Sequence, residues 1–346
     1  MQLNFDAQLI KQYTNEIFAI GSPTGYTKEA ISYLDTVCQG FGYETSLTEK
    51  GNLMVFVPGQ TNTKTIALSA HVDTLGLMVR SIKGDGKLAV TKLGGPIMHT
   101  LDGEYCTIIT RSNQRYTGTI LSTSPASHVY KDADSAQRTE ETMEIRIDEV
   151  VKTRDDVLKL GIQNGDIVVI DPKTTICESG YIKSRFIDDK MSVVMMLALL
   201  ETYQKQQIKP YYDTYFIITT YEEVGHGSSY LPAHIQEVLA IDMGCIGLDL
   251  ACTEHDVSIC AKDSSGPYDY EMVSKLASLA KTHVISHAID IYPYYGSDVS
   301  AALRGGNNIK GALIGTGVHA SHGMERTHMD GVNATLQLMH HYLQAE

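Results

Sequence analysis

The stretch Ile217–Ser229, IITTYEEVGHGSS, combines two readings that conflict. Its first half is β-branched and aromatic, as in a buried strand. Its second half sets two adjacent carboxylates, Glu222 and Glu223, before a glycine-rich turn. Charge at the rim of a core is costly unless something compensates it. The stretch therefore predicts a strand whose carboxyl end faces a compensating group. In open α/β sheets, ligand sites gather beyond the carboxyl ends of strands, where loops converge.

The rhythm on either side agrees. After residue 171, MSVVMMLALLETYQKQ predicts a helix, VLAIDMG and VSICAK predict strands, and PYDYEMVSKLASLAKTH predicts a helix. KGALIGTGV then predicts a strand and DGVNATLQLMHHYLQ a closing helix. Near the start come two helical patterns, followed by the strands NLMVFVPG and TKTIALSAHVD. Strands alternating with helices imply a sheet covered on both faces. Between Thr74 and about Pro172 the texture changes to short alternating segments such as LGLMVRSI, EYCTIITR, RYTGTILS and DIVVIDP, separated by turn signals. The expected fold class is α/β: a three-layer αβα catalytic domain with a mixed sheet, formed by residues 1–73 and 172–346. A small all-β, barrel-like domain, residues 74–171, is inserted into it. Within that insert, SPASHVYKDADSAQRTEET reads as an exposed polar loop.

Composition narrows the function. With 346 residues the chain can bury a full core, and a formal net charge of -13 argues against nucleic-acid or anionic-membrane partners, which want clustered Lys and Arg. The first twenty residues have helical apolar spacing without a basic, signal-type start, and the longest apolar run, Met191–Leu200, is too short to span a bilayer. The six cysteines show no C-x-x-C spacing and lie in apolar segments, which predicts reduced core thiols. A cytoplasmic enzyme is the expectation.

Ionisable ligand-type residues recur in one format, at the ends of apolar segments. They are His71 and Asp73 in IALSAHVDTLG, Asp188 and Asp189 in YIKSRFIDDKMS, Glu222 and Glu223, and Asp242 in VLAIDMG. His319, His322 and His328 follow in GTGVHASHGMERTH. Each has a plain alternative. The His-Asp pair can be a loop hydrogen bond, Asp188 or Asp189 a helix cap, the Glu pair a solvated turn, Asp242 an Asx-turn, and the histidines surface residues. Such coincidences in one chain are less economical than one site. Carboxylates and imidazoles together suit Zn²⁺-class ions, and two ions about 3.5–4 Å apart activate one water between them.

The set SAHVDTLG, FIDDK, TTYEEVG, AIDMG and SHGMERTH, in this order, resembles the M42 family of metallo-aminopeptidases over nearly the whole chain. The resemblance implies a di-metal aminopeptidase that removes N-terminal residues from short peptides. It would use a metal-bridged hydroxide and two divalent ions per subunit, Zn²⁺ first, with Co²⁺ or Mn²⁺ as alternatives. It further implies His71, Asp188, Glu223, Asp242 and His322 as metal ligands, with Asp188 bridging, Glu222 as general base, and Asp73 orienting His71. Many relatives carry the last ligand His four residues before a Glu, whereas His322 lies three before Glu325; His319 and His328 stay open as alternatives. YYGSDVSAAL resembles a segment near the family's substrate pocket, which implies a substrate-binding role for Asp298; the alternative is a helix N-cap at Ser297 or Asp298. The family's insert mediates dimers that assemble into dodecamers, and the same homo-oligomer is implied here. Competing readings are another metal-dependent amidase (a deacylase or a carboxypeptidase-like enzyme), a glycoside hydrolase, which needs two carboxylates and no histidine, and a non-catalytic metal-binding protein.

Overall fold

The computed structural model describes residues 3–346. The chain opens with helix α1 (Ala7–Ala19), started by the Asp6 side chain accepting from the Gln8 amide, and helix α2 (Lys28–Gly40). Ile10, Tyr13, Ile17 and Phe18 recur at helical spacing and are the buried face of α1. Strands β1 (Glu44–Leu47), β2 (Leu53–Val57) and β3 (Thr61–His71) follow.

From β3 the chain passes into a closed barrel of six antiparallel strands. These are β4 (Gly76–Ile82), β5 (Leu88–Leu93), β6 (Tyr105–Ile109), β7 (Arg115–Ser122), β8 (Met143–Ile147) and β9 (Ile167–Ile170), ordered β4-β5-β8-β7-β6-β9 with β9 closing on β4. Its core follows the two-residue period: Leu77 and Val79, Leu88 and Val90, Cys106 and Ile108, Met143, Ile145 and Ile147, Val168 and Ile170. Gly118 lies where strands crowd, since a Cβ there would stand 2.8 Å from the Arg146 carbonyl. Helix α3 (Arg154–Lys159), begun by a Thr153–Asp156 capping box, links β8 to β9. The polar stretch between β7 and β8 runs in turns and is mostly exposed. Arg138 anchors it through hydrogen bonds to Asp102 and to the Ala133 carbonyl.

The chain then forms strands β10 (Thr175–Ile176) and β11 (Tyr181–Ser184), helix α4 (Ile187–Gln206), and strands β12 (Tyr212–Thr219), β13 (Glu237–Ile241), β14 (Gly244–Cys245), β15 (Val257–Asp263) and β16 (Gly266–Pro267). Helix α5 (Tyr270–Thr282), β17 (His287–Ile291), helix α6 (Asp298–Arg304), β18 (Lys310–Val318), β19 (Glu325–His328) and helix α7 (Met329–Gln344) complete it. The main sheet is mixed, in the order β1-β2-β12-β3-β13-β18-β15-β16, with β17 beside β15 and β14 beside β18. The α/β class with a mixed sheet and a closed barrel is thus present. The two faces are unequal. Residues such as Leu68, Phe216, Leu239 and Ile314 pack with α1, α4, α5 and α7, whereas Ala67, Ile217, Val238 and Leu313 cluster with Val299 and Ala302 of α6, with Leu231 and Ile235, and with Tyr268 and Tyr292. Helix α4 is buried along nearly its whole length, which is why its sequence is apolar all round.

The sheet topology positions the chemistry. Strands β12, β3, β13 and β18 are parallel neighbours, so their carboxyl ends share one edge. Thr219 lies opposite His71 and Ile241 opposite Ile314. Asp188 and Asp189 arrive differently from the expectation of a strand end: β11 belongs to a separate sheet with β10 and β19, and the two residues begin α4 in non-helical backbone conformations.

Candidate metal centre

His71 is the last residue of β3, and both its ring nitrogens are occupied in a telling way. Nδ1 lies 2.8 Å from the backbone carbonyl of Asp73, so it carries the proton and donates. Nε2 then presents a lone pair to Asp188 Oδ1 at 3.1 Å and to Glu222 Oε2 at 3.7 Å. His322 repeats the pattern. Its Nδ1 donates to the Gly95 carbonyl at 3.0 Å, and its Nε2 faces Asp188 Oδ2 at 3.5 Å and Glu223 Oε2 at 3.8 Å. Asp188 therefore offers one oxygen to each imidazole. A lone pair facing a carboxylate is repulsive unless a cation lies between them.

Other carboxylates crowd the same place. Asp189 is fully buried; Oδ2 accepts the His71 amide at 3.1 Å and Oδ1 has no partner. Asp242, just past β13, accepts the Met243 amide at 2.6 Å. Glu222 and Glu223 sit in a single 3-10 turn, Glu222–Val224, and Glu223 Oε1 is buried without a partner. Among the described residues, His71 and His322 are the bases within ion-pair distance of these acids, with no Lys or Arg. Burial first, then neighbouring carboxylates, push Glu222, Glu223 and Asp189 well above the ordinary carboxylate range and Asp242 to about 7. For Asp188 burial is overcome by His322 and His71 in their protonated, metal-free form, in which each Nε2 carries a proton in place of the lone pair and donates it, so that the carboxyl is held well below that range. His71 is raised against burial by Asp188 and Glu222, and His322 to about 10, chiefly by Asp188.

This donor set fits divalent cations. Orphaned buried oxygens, imidazoles with Nδ1 tied to carbonyls and Nε2 directed inward, and uncompensated negative charge are what a metal centre requires. Two groupings have all ligand atoms within 4.8 Å of one another: His71, Asp188 and Glu223; and His71, Asp189 and Asp242. Asp188, Glu223 and Asp242 of these groupings line a cavity of about 450 Å³ together with Glu222 and His322, and with Ile97, Met243, Cys245, Tyr295 and Arg304.

Several sequence expectations meet a different geometry. The Asp73 carboxylate stands 3.6 Å from His71 Nδ1 and is engaged elsewhere, by the Thr24 hydroxyl and the Glu222 and Glu223 amides. It is Asp73's carbonyl that holds the imidazole. Asp298 is buried, with one oxygen accepting from the Thr219 hydroxyl at 2.6 Å and the other from the Ser228 amide at 2.9 Å, so no lone carboxylate faces the cavity. The cap of α6 is Ser297, in a capping box with Ser300. His319 is exposed. His328 lies in another group, with His255 and Asp330, and caps α7. Two residues at the centre were outside the expected set. Asp189 was visible as the second acid of FIDDK. Glu325 is buried, and its oxygens accept the amides of Asp188 at 3.0 Å and His322 at 2.9 Å. Burial, followed by the Asp188 charge, raises it to about 8. Nothing in a single sequence distinguishes such a residue from a surface acid. All six cysteines are free thiols, four of them buried.

Comparisons with known proteins agree with this architecture. The family description "M42 glutamyl aminopeptidase" matches residues 51–338. The chain is 46% identical over 331 residues to "Putative aminopeptidase YhfE" of Bacillus subtilis (strain 168), covering 95% of this chain and 96% of that protein. In fold it is similar to a TET aminopeptidase from the archaeon Thaumarchaeota archaeon SCGC AB-539-E09, with a TM-score of 0.87, 17% identity, and 98% and 96% of the two chains covered. It is similar in the same way to the Pyrococcus horikoshii TET1 peptidase, with a TM-score of 0.84, 21% identity, and 97% and 100% covered. With its family pattern spanning most of the sequence and a close relative aligned nearly end to end, this chain belongs to the M42 glutamyl aminopeptidase family and is a peptide hydrolase.

Proposed function

We propose that the protein is a cytoplasmic di-metal aminopeptidase that removes N-terminal residues from short peptides. The observation that carries this reading is the meeting of His71 with Asp188, Glu222, Glu223, Asp242 and His322, the last five at the wall of one cavity, with no Lys or Arg within ion-pair distance of these acids among the described residues. His71, Asp188, Glu223, Asp242 and His322 would hold two divalent ions, with Asp189 beside His71 and Asp242 as a further donor. The bridging role of Asp188 is supported by its two oxygens, each facing a different imidazole. O and N donors of this kind suit Zn²⁺, Co²⁺ or Mn²⁺. When bound, such ions lower the pKa of water and polarise a carbonyl.

The chain's own residues do the rest. Glu222 lies at the cavity wall, 3.7 Å from His71, and takes the proton from the attacking water, then passes it to the departing amine. Asp73 holds the Glu222–Glu223 turn through both amides while its carbonyl fixes His71, so one residue orients base and imidazole together. The surplus of carboxylates supplies the negative field that a free substrate ammonium requires. Six unpaired cysteines fit a reducing compartment. The homo-oligomer, with dimers building a dodecamer, is supported by the similar P. horikoshii peptidase, which is described as assembling into a tetrahedron or a large octahedral shell; light scattering on the purified protein tests it.

The deciding experiment is a panel of aminoacyl chromogenic substrates assayed after chelation and after return of each metal. Turnover of free-amine substrates that vanishes on chelation, returns with metal, and is absent for an N-acetylated peptide is the expected result. Cleavage of the acetylated peptide, or turnover indifferent to chelation, would overturn the reading.

A further inference from the structure

The segment that carries Glu222 and Glu223 is closed from behind by a residue that takes no part in the cavity. Asn52 lies at the start of β2, just past the turn from β1, and is 2% exposed. Its Oδ1 accepts the Thr220 amide at 3.0 Å and the Thr220 hydroxyl at 3.0 Å, and its Nδ2 donates to the Gly227 carbonyl at 3.0 Å. Two residues earlier, Lys50 donates to Ser229 Oγ at 2.7 Å and to the His226 carbonyl. Between these ties the backbone turns through two left-handed residues, Tyr221 with φ 65° and Gly225 with φ 82°. A buried planar amide that bonds both ends of a loop fixes its span more firmly than flexible contacts would.

We propose that Asn52, supported by Lys50, is a positioning residue for proton transfer, clamping the 220–227 loop so that the Glu222 carboxylate stays at the cavity wall. This rests on the aminopeptidase reading and on Glu222 as its base. A general base must lie within hydrogen-bond reach of its proton, and a misplacement of about 1 Å from a remote change can cost about 100-fold. Asp73 and Asp298 also hold this loop, but Asp73 is tied to His71 and Asp298 to α6. Asn52 is a tie whose side chain touches no proposed ligand, only Thr220 and Gly227.

The test compares Asn52→Ala, Asn52→Asp and Lys50→Met in the full-length protein. Asn52→Ala should lower kcat about 10- to 100-fold while KM and bound metal stay within about twofold. Asn52→Asp keeps the acceptor for Thr220 and loses the donor to Gly227, so it should recover part of that loss. Amide hydrogen exchange across residues 220–228 should quicken in the same order. Lys50→Met should show a smaller fall in kcat, and it keeps the test alive if Asn52→Ala does not fold. A kcat within about twofold of wild type, a loss cured by excess metal, or unchanged exchange would each overturn the proposal. Exchange is read without substrate, so absence of wild-type turnover would sink the aminopeptidase reading and leave the clamp still decided.

Discussion

Two groups of histidine and acid in this protein use the same residue types to different ends. Around His71, Asp188 and His322, both imidazoles spend Nδ1–H on backbone carbonyls and turn Nε2 toward carboxylates that have no donor. Around His255, His328 and Asp330, the arrangement closes on itself. His328 Nε2 donates to the Ser179 carbonyl at 2.8 Å, and its Nδ1 lone pair is filled by the Asp330 amide at 3.1 Å. His255 reaches the Asp330 carboxylate at 3.0 Å, and that carboxylate is 67% exposed, so water can finish what the protein does not. Similar spacing therefore does not make similar sites. What separates them is whether any lone pair is left buried and unanswered.

The comparison breaks most visibly at the base. Glu222→Gln should cut kcat by about 100- to 10,000-fold while metal content, read by elemental analysis, stays as in wild type; near-normal turnover would remove Glu222 from the mechanism. Glu325→Ala touches no expected ligand position but frees the amides of Asp188 and His322. It should weaken metal affinity by about 10- to 100-fold in competition with a chelator.

A milder test uses pH. In metal-free protein, Asp242 rises from 3.8 to about 7 and Glu325 from 4.5 to about 8, both chiefly through burial. The folded state then binds more protons than the unfolded chain between about pH 4 and 8, so stability falls as pH rises through that window. His71 and His322, also raised, lose their contribution in the same direction. Asp188 runs oppositely as pH drops through the lower carboxylate range. His340 and His341, held down to about 4 by burial, and Lys190, held down to about 7, oppose the trend within the window. They are outnumbered by Asp189, Glu222, Glu223, Asp242, Glu325, His71 and His322, all raised. The metal-free protein should melt higher at pH 5 than at pH 8, and added Zn²⁺ should remove the difference. A melting temperature that climbs with pH in the metal-free form would contradict the charge balance drawn above.

The smallest effect falls on the other cluster. His328→Ala should cost about 1 kcal/mol, the loss of a helix cap, and leave metal content and kcat unchanged. A drop in bound metal would mean that the exposed cluster holds an ion after all.

Much of this was legible in the sequence, for reasons that particular residues make plain. Strands such as IALSAH and FIITT are apolar and β-branched, and the barrel strands alternate with period two, so local pattern and tertiary burial agree. Glu222, Glu223 and Asp242 were readable because each follows such a strand. Asp188 was readable as a residue but not as a position, since its approach from the start of α4 depends on a separate small sheet. Which oxygen of Asp73 lies nearer His71 was not readable, because Thr24 and the turn amides that engage its carboxylate are remote in sequence. Short edge strands such as β10 and β17 take their form from neighbours and carry little signal of their own. Asn52 and Glu325 act chiefly on groups far along the chain, Asn52 on Thr220 and Gly227 and Glu325 on the Asp188 amide, which no spacing rule can show.

The barrel strands β4 and β9 are neighbours, with Leu77 opposite Val168. Departure and return thus occur at nearly one point, so the long excursion between the His71 and Asp188 segments adds almost no geometric slack to the pair. A different module spliced at the same two adjoining ends would keep the span between His71 and Asp188, but it would also have to bring back the Gly95 carbonyl that holds His322.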